Sequence, residues 1–500
     1  MQMKQSSLLT KTFKGFKWML FGSVGQAIIQ ILVLTVMARL LEPRDFGVVS
    51  LAIAVIGVSS IFSQMGVGPA LVQRNELEER HVHAAFTFSI VFGLVLSLLL
   101  IVFAPLFGDF FNDESLIQVL QVTSILFPIQ GLSVVAESLL QRNLMFKSIA
   151  SISFTTYLVG FGVVGVLLGL TIGGVWTLVI AHIVQQVLRS SFLLIRFSHS
   201  KKINFDLATY KELMYFGGGF TIARFANYFA LQGDNFVAGK SLGTEALGLY
   251  GRAYQLMAMP ANLVGQVLDK VLFPVMARYQ EDREMLGRVL LRGVAFMSIL
   301  IMPASSFFII FANDIVLLLL GTAWTGVVEP FRILALGMFF RVGYKLGDSM
   351  TRAKGVVYKR AWRHVIYAVM VLSGAIIGQY WGITGVSVGV LIALFLNFIN
   401  MSNLSLRLTE TSWLSFIKVF LIPLTITIII SITLSLENYL FSIYDVNAIT
   451  EILIAIISFI IIVLLLILKT RIMSLNEHTN WIILAIKEQL QALTNRRGIR

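Results

Sequence analysis

Runs of roughly 20 apolar residues, the length that carries a helix across a ~30 Å hydrocarbon core, recur along this chain between short polar loops. In the first half they extend from Trp18 to Leu40, Phe46 to Met65, Ala84 to Leu106, Leu116 to Leu140, Ser148 to Leu170 and Gly173 to Leu194. The second half repeats the rhythm from Leu213 to Ala238, Ala246 to Met276, Leu290 to Phe311, Val327 to Met350, Val365 to Tyr380 and Gly385 to Leu406. Two more runs, Phe416 to Leu436 and Ile452 to Leu468, close the series. The pattern predicts an all-α polytopic membrane protein with about fourteen spans. The first run is too long for the ~7–15-residue core of a signal peptide, so it reads as a retained span.

Composition agrees with this reading: 57% of the 500 residues are hydrophobic and 13% charged, against about 25% charged in soluble domains. A water-soluble fold could not hide so much apolar side chain. With no cysteine in the chain, disulfides, thiolate nucleophiles and cysteine-ligated metals are excluded. No cofactor is expected.

The formal net charge of +13 takes its meaning from where the cations lie. Loops on the side of the N-terminus carry Arg74, Arg80, Arg142, Lys147, Lys201, Lys202, Arg278, Arg283, Arg288, Arg352, Lys354, Lys359 and Arg360. The opposite loops hold mainly Glu42, Asp45, Asp109, Asp113, Glu114, Asp314, Glu437 and Asp445, with Arg44, Lys240 and Arg252 as minority cations. Because Lys and Arg gather on the cytoplasmic side, both termini are expected on the cytoplasmic side of the membrane. Anionic headgroups then account for the basic excess, and no nucleic acid is called for. Trp481, Ile482, Ile483, Ile486, Leu490 and Leu493 suggest a helix lying on that surface, with a frayed tail as the alternative.

Landmarks recur about 200 residues apart. The stretch Arg39 to Gly47 parallels Lys240 to Gly248; Gln141-Arg142 before Phe146-Lys147 parallels Thr351-Arg352 before Tyr358-Lys359; Gly174-Val175 parallels Gly385-Val386. Such order implies a parallel repeat of two six-helix lobes related by a pseudo-two-fold along the membrane normal, with a transport cavity between them. The expected organisation is a lobe over 1–200, a cytoplasmic linker over 201–212, a second lobe over 213–408, two extra helices over 409–470 and a basic tail over 471–500.

Ionisable residues at membrane depth cost roughly 2.5–3.5 kcal/mol each, so they face a cavity or a partner. Arg224 sits near the middle of the seventh span, with Tyr228, Leu231 and Asn235 on its face. Arg341, Lys345 and Asp348 follow helical spacing toward Arg352. Cations on a wet cavity suit a phosphate or diphosphate; the competing reading pairs Arg341 or Lys345 with Asp348, and Arg224 with Asp234, as packing devices. Asp234, and Asp269 beside Lys270, could gate or carry protons, or pair locally. Glu137 could bind an ion but stands near Arg142 and reads as structural. Gln26 and Gln30 share a face of the first span and could bond sugar hydroxyls or join helices. His81 and His83 lack converging ligands and read as a solvated loop without metal. Gly165 with Gly169, and Gly385 with Gly389, are small-residue pairs that let helices close up. Pro128, Pro260 and Pro303 are expected to interrupt spans.

Leu41-Glu42-Pro43-Arg44-Asp45-Phe46-Gly47, Gly66-Val67-Gly68-Pro69-Ala70-Leu71-Val72-Gln73-Arg74, Leu140-Gln141-Arg142 before Phe146-Lys147, and Asp234-Asn235 before Leu242-Gly243 and Leu247 through Tyr254 together resemble the polysaccharide-export flippases of the MATE/MOP superfamily. The resemblance covers the span region through Leu468. It implies two lobes in a bacterial cytoplasmic (inner) membrane that open alternately inward and outward, moving a polyprenyl-diphosphate-linked oligosaccharide for exopolysaccharide, capsule or lipopolysaccharide. It also implies Arg224, Arg341 and Lys345 as headgroup or acidic-sugar contacts, and a polysaccharide polymerase and export machinery as partners beside membrane lipids. Two rivals stand against it. A drug or small-cation antiporter should prefer acidic cavity residues, and a polymerase or glycosyltransferase should carry a substantial outer loop or domain; the outer loops here are short.

Overall fold

The computed structural model describes residues 25–64, 67–74, 76–198, 200–444 and 446–469, and every regular element among them is helical. Nine helical segments among these residues are long and apolar enough to cross a membrane, with Gly25–Leu40 and Ala448–Val463 as shorter apolar helices. The tail helix suggested by Trp481 to Leu493 lies outside the described residues. The chain forms two compact units, Met1–Gly251 and Arg252–Arg500.

The first unit begins with α1 (Gly25–Leu40), α2 (Pro43–Gln64), α3 (Val67–Gln73) and α4 (Glu79–Phe111). On α4, Leu94, Leu98, Val102 and Leu106 are 55%, 63%, 61% and 61% exposed. Four large apolar side chains in one i+4 stripe are tolerable only where lipid, not water, covers them. His81, expected in a solvated loop, is instead fully buried in the first turn of α4. Its Nδ1 accepts the Glu78 amide at 3.2 Å, so the ring closes a capping box. The fourth expected span is two helices, α5 (Glu114–Thr123) and α6 (Leu126–Arg142). Pro128 explains the break, since its ring conflicts with the carbonyl four residues back, at Ser124. The fifth span runs through α7 (Phe146–Tyr157), a wider π-helical stretch over Leu158–Gly165, and α8 (Val166–Thr171). Then α9 (Gly174–Arg196) packs on α6.

Next comes α10 (Leu207–Arg278), whose one residue of non-helical backbone is Gly243, with φ +87° and ψ 175°. Only glycine takes that conformation readily, and the seventh and eighth expected spans fall on either side of it. Pro260, expected to interrupt its span, lies inside the helical stretch beyond Gly243.

The second unit holds the rest of α10, then α11 (Arg283–Ile310), α12 (Ala312–Leu319), α13 (Val328–Ala353), α14 (Val357–Gly378), α15 (Gly382–Thr409), α16 (Trp413–Lys418), α17 (Leu421–Ile443) and α18 (Ala448–Lys469). Pro303 likewise lies inside continuous α11; membrane helices absorb a lost hydrogen bond without ending. The core element is α13, packed on α11 and α15 with most of its side chains buried. Phe339, Phe398, Phe416 and Phe420 join α13, α15 and α16 in an aromatic seam. Helices α14 and α15 meet backbone to backbone through Gly374 and Gly378 against Gly389 and Gly385, so the Gly385/Gly389 pair allows close approach as its spacing suggested.

Candidate functional site

Charge on α13 is arranged as a ladder of single helical turns. Arg341 is thirteen residues from Val328 and twelve from Ala353, hence mid-helix, and only 6% exposed. Its Nη1 donates to the Tyr254 hydroxyl, and its guanidinium lies 5.0 Å from the centre of that ring. Its Nε is buried without a hydrogen-bond partner among the described residues.

One turn on, Lys345 Nζ donates to Asn262 Oδ1 at 2.8 Å. The lysine stem runs over Gly265, where an added Cβ would come 3.0 Å from Lys345 Cδ. The absence of a side chain there is what seats the lysine against α10.

Toward the end of α13 the chemistry changes. Asp348 accepts Arg360 Nε at 2.5 Å and Nη2 at 3.2 Å, lies 2.9 Å from His364 Nε2, and pairs with Arg352 at 3.3 Å. Asp269 accepts from Ser349 Oγ and Arg352, and Arg352 covers the Phe273 ring at 4.9 Å. Both carboxylates are therefore committed to Arg352, Arg360 and His364. Among the described residues neither Arg341 nor Lys345 makes an ion pair. The pairing of Arg341 or Lys345 with Asp348 does not occur, because α14 delivers better-placed donors to that carboxylate. Asp269 likewise pairs with Arg352; the Lys270 side chain lies outside the described residues.

The remaining sequence candidates are scattered. The Arg224 side chain lies outside the described residues. Tyr228 donates to the Ala54 carbonyl at 2.9 Å and fills the space beside Gly57, which makes it a tie between α10 and α2. Asp234 is buried and accepts the Tyr250 hydroxyl at 2.5 Å, while Asn235 donates to Gln232. Glu137 pairs with Arg189 at 2.8 Å. Arg142 donates to the Leu71, Val72 and Arg74 carbonyls at the end of α3, where exposed helix carbonyls attract a cation. Gln26 and Gln30 are half-buried on α1.

Sequence reasoning missed Tyr254, Asn262, Arg360 and His364. The last two had a signal: they stand at i+12 and i+16 from Asp348, across the short turn to α14. Among the described residues no group of three His, Asp or Glu side chains could hold a metal. Buried Arg341 and half-buried Lys345, one turn apart, bond among the described residues to a phenol hydroxyl and an amide oxygen, and an anion offered to them would gain charge-assisted hydrogen bonds.

The profile of a family described as "Polysaccharide biosynthesis protein" matches residues 36–329. The lipopolysaccharide biosynthesis protein WzxC of Escherichia coli K12 is 25% identical over 405 residues, covering 79% of this chain and 80% of its own. The teichuronic acid biosynthesis protein TuaB of Bacillus subtilis is 23% identical over 355 residues, with 70% and 72% covered. In fold, the chain is similar to the lipid II flippase MurJ in an inward closed conformation, with a TM-score of 0.62 at 16% identity over 91% of this chain and 97% of that one. An inward-facing multidrug transporter of the MATE family gives 0.61 at 16% identity over 77% and 96%.

Proposed function

The chain belongs to the polysaccharide biosynthesis protein family, and from that premise we propose that it is a flippase for a polyprenyl-diphosphate-linked oligosaccharide. Relatives named for lipopolysaccharide and teichuronic acid biosynthesis, and a fold shared with a lipid II flippase, support that class of cargo.

The observation that carries the reading is the pair Arg341 and Lys345. Neutralising them internally would need a carboxylate, and Asp348 and Asp269 are already taken. A diphosphate or an acidic sugar supplies the missing charge. An antiporter for cations would want the opposite sign at mid-membrane, so buried cations favour the anionic cargo. Arg224, Gln26, Gln30 and Asn235 remain candidates for the sugar-contacting wall. Asp234, Asp269, Asp348 and Glu137 each have a protein partner and act as structural ties. In this reading both termini are cytoplasmic, and about fourteen spans, following the ~20-residue rule, form two repeated lobes in a bacterial inner membrane. A polymerase and export machinery take the cargo onward.

The test is in cells. Arg341→Ala and Lys345→Ala should each cut surface polymer and raise lipid-linked intermediates while the protein reaches the membrane at normal levels. A hydrogen bond to a charged group contributes about 1.5–3 kcal/mol, so cargo affinity should fall roughly tenfold to a hundredfold. Normal polymer from both variants would remove the pair from the site.

A further inference from the structure

Helix α14 opens with four basic side chains on two neighbouring faces. Arg360 and His364 turn to α13 and bond Asp348. Lys359 and Arg363 each stand one position earlier and do not reach that carboxylate. Instead Arg363 Nη1 donates to the backbone carbonyl and to Oδ1 of Asn400, which fixes its guanidinium against α15. Gly374 with Gly389, Gly378 with Gly385 and Arg363 with Asn400 keep a single antiparallel register. Carried seven residues further, that register brings Arg407 beside Val356, at the start of α14, and the charge of Arg407 reaches Arg363. The acid nearest to Arg407 in sequence, Glu410, bonds Arg283. Lys359 and Arg363 are at i and i+4, where like charges repel. Among the described residues none of Lys359, Arg363 and Arg407 makes an ion pair, so three cations gather at one corner of the α14/α15 hairpin without a counter-charge.

The adjoining face of α14 shows what surrounds them. Tyr358 and Trp362 are 92% and 66% exposed, and Val369 and Ile376 continue the same stripe, also exposed. Large apolar side chains along one helix face mark a lipid-covered surface. Tyr and Trp settle where hydrocarbon meets headgroups. Each of the two aromatics immediately precedes one of the cations in sequence, so Lys359 and Arg363 flank the lipid-covered stripe at headgroup depth. Arginine's planar fork matches a phosphodiester, and cations at this level are drawn to anionic lipid.

We propose that Lys359, Arg363 and Arg407 form a binding site for the phosphate headgroup of an anionic phospholipid whose chains lie along Tyr358, Trp362 and Val369. Its place in the cytoplasmic leaflet rests on the topology proposed above; the site itself rests on the side chains alone. A headgroup held here supplies the counter-charge that the described residues do not, and braces the helix that carries Arg360 and His364 to Asp348.

Purified full-length protein in phosphatidylcholine nanodiscs, given rising proportions of phosphatidylglycerol with brominated chains, reads the site through tryptophan fluorescence, which bromine quenches. Wild-type protein should show a saturable quench that brominated phosphatidylcholine does not produce, and Trp362→Phe should lose it. Lys359 and Arg407 are exposed and bond no other described residue, so Lys359→Gln/Arg407→Gln should fold normally. That variant should need roughly thirtyfold more lipid for half-saturation, the loss expected for two cations at an anionic surface. Lys201→Gln/Lys202→Gln removes the same charge from another exposed loop and should leave half-saturation unchanged. Equal shifts in the two double variants overturn the site, as does equal quenching by the two lipids or a quench that Trp362→Phe retains. Inorganic phosphate at constant ionic strength should not reverse the quench; reversal would assign the cations to a soluble phosphate and overturn the lipid site. No arm of the experiment involves transport, so its outcome is independent of the cargo.

Discussion

Arg341 and Asp348 are both charged side chains of α13, yet their surroundings give them opposite expected behaviour. Asp348 is bound by Arg360, Arg352 and His364, so Asp348→Asn leaves three donors short of a carboxylate. The carboxylate is half-buried, so losing its pairs should cost more than the ~0–1 kcal/mol of a surface ion pair and less than the ~3–5 kcal/mol of a fully buried one, and the variant should show a lowered thermal midpoint in detergent. Arg341→Ala removes no ion pair and should leave that midpoint near wild type while transport falls. Equal thermal loss in both would contradict the division of the stripe into a structural end and a cargo end. The stripe itself was legible, since Arg341, Lys345 and Asp348 fall on one face at helical spacing. Which cation Asp348 would choose was not, because the answer depends on how α14 folds back, and spacing within one helix carries no information about that. The neutral seats of the two inner cations, Tyr254 and Asn262, lie over 80 residues away in sequence and were invisible for the same reason.

Helices were the most legible level, because membrane thickness fixes the length of an apolar run. Expected and observed bounds agree to three residues at each end for α15, Gly385–Leu406 against Gly382–Thr409, and to one residue at the C-terminal end of α11, which begins seven residues before the expected start, Arg283–Ile310 against Leu290–Phe311. Breaks inside apolar runs were less legible. Hydropathy shows no trace of the turn between α5 and α6 or of the π-helical stretch after Tyr157, since both keep their apolar side chains while the backbone bonding changes. Helix crossings can be tested directly. On Gly389 an added Cβ would stand 2.1 Å from the Gly374 carbonyl oxygen, and backbone cannot yield as a side-chain tip does. Gly389→Val should therefore cost at least the ~1–3 kcal/mol typical of overpacking, seen as less folded protein after extraction. A yield and thermal midpoint equal to wild type would argue against the α14/α15 contact.

For the molecule as a whole, all-helical polytopic architecture followed from composition and run length, and the fold similarity to MurJ and MATE transporters agrees with it. Orientation makes its own prediction. A lone cysteine at Asp109, exposed at the end of α4, should react with a membrane-impermeant thiol reagent added to intact cells, and one at Lys201, exposed in the loop before α10, should react only after lysis. The reverse pattern would invert the proposed topology. The cargo was the least legible property, because composition and spacing place cations at membrane depth without saying what they meet. The central claim is tested most directly by purified protein in proteoliposomes, following transbilayer movement of a labelled polyprenyl-diphosphate-linked oligosaccharide. Wild-type protein should move it, and Arg341→Ala/Lys345→Ala, reconstituted to the same density, should not. Movement at equal rates by both, or none by wild type, would contradict the account.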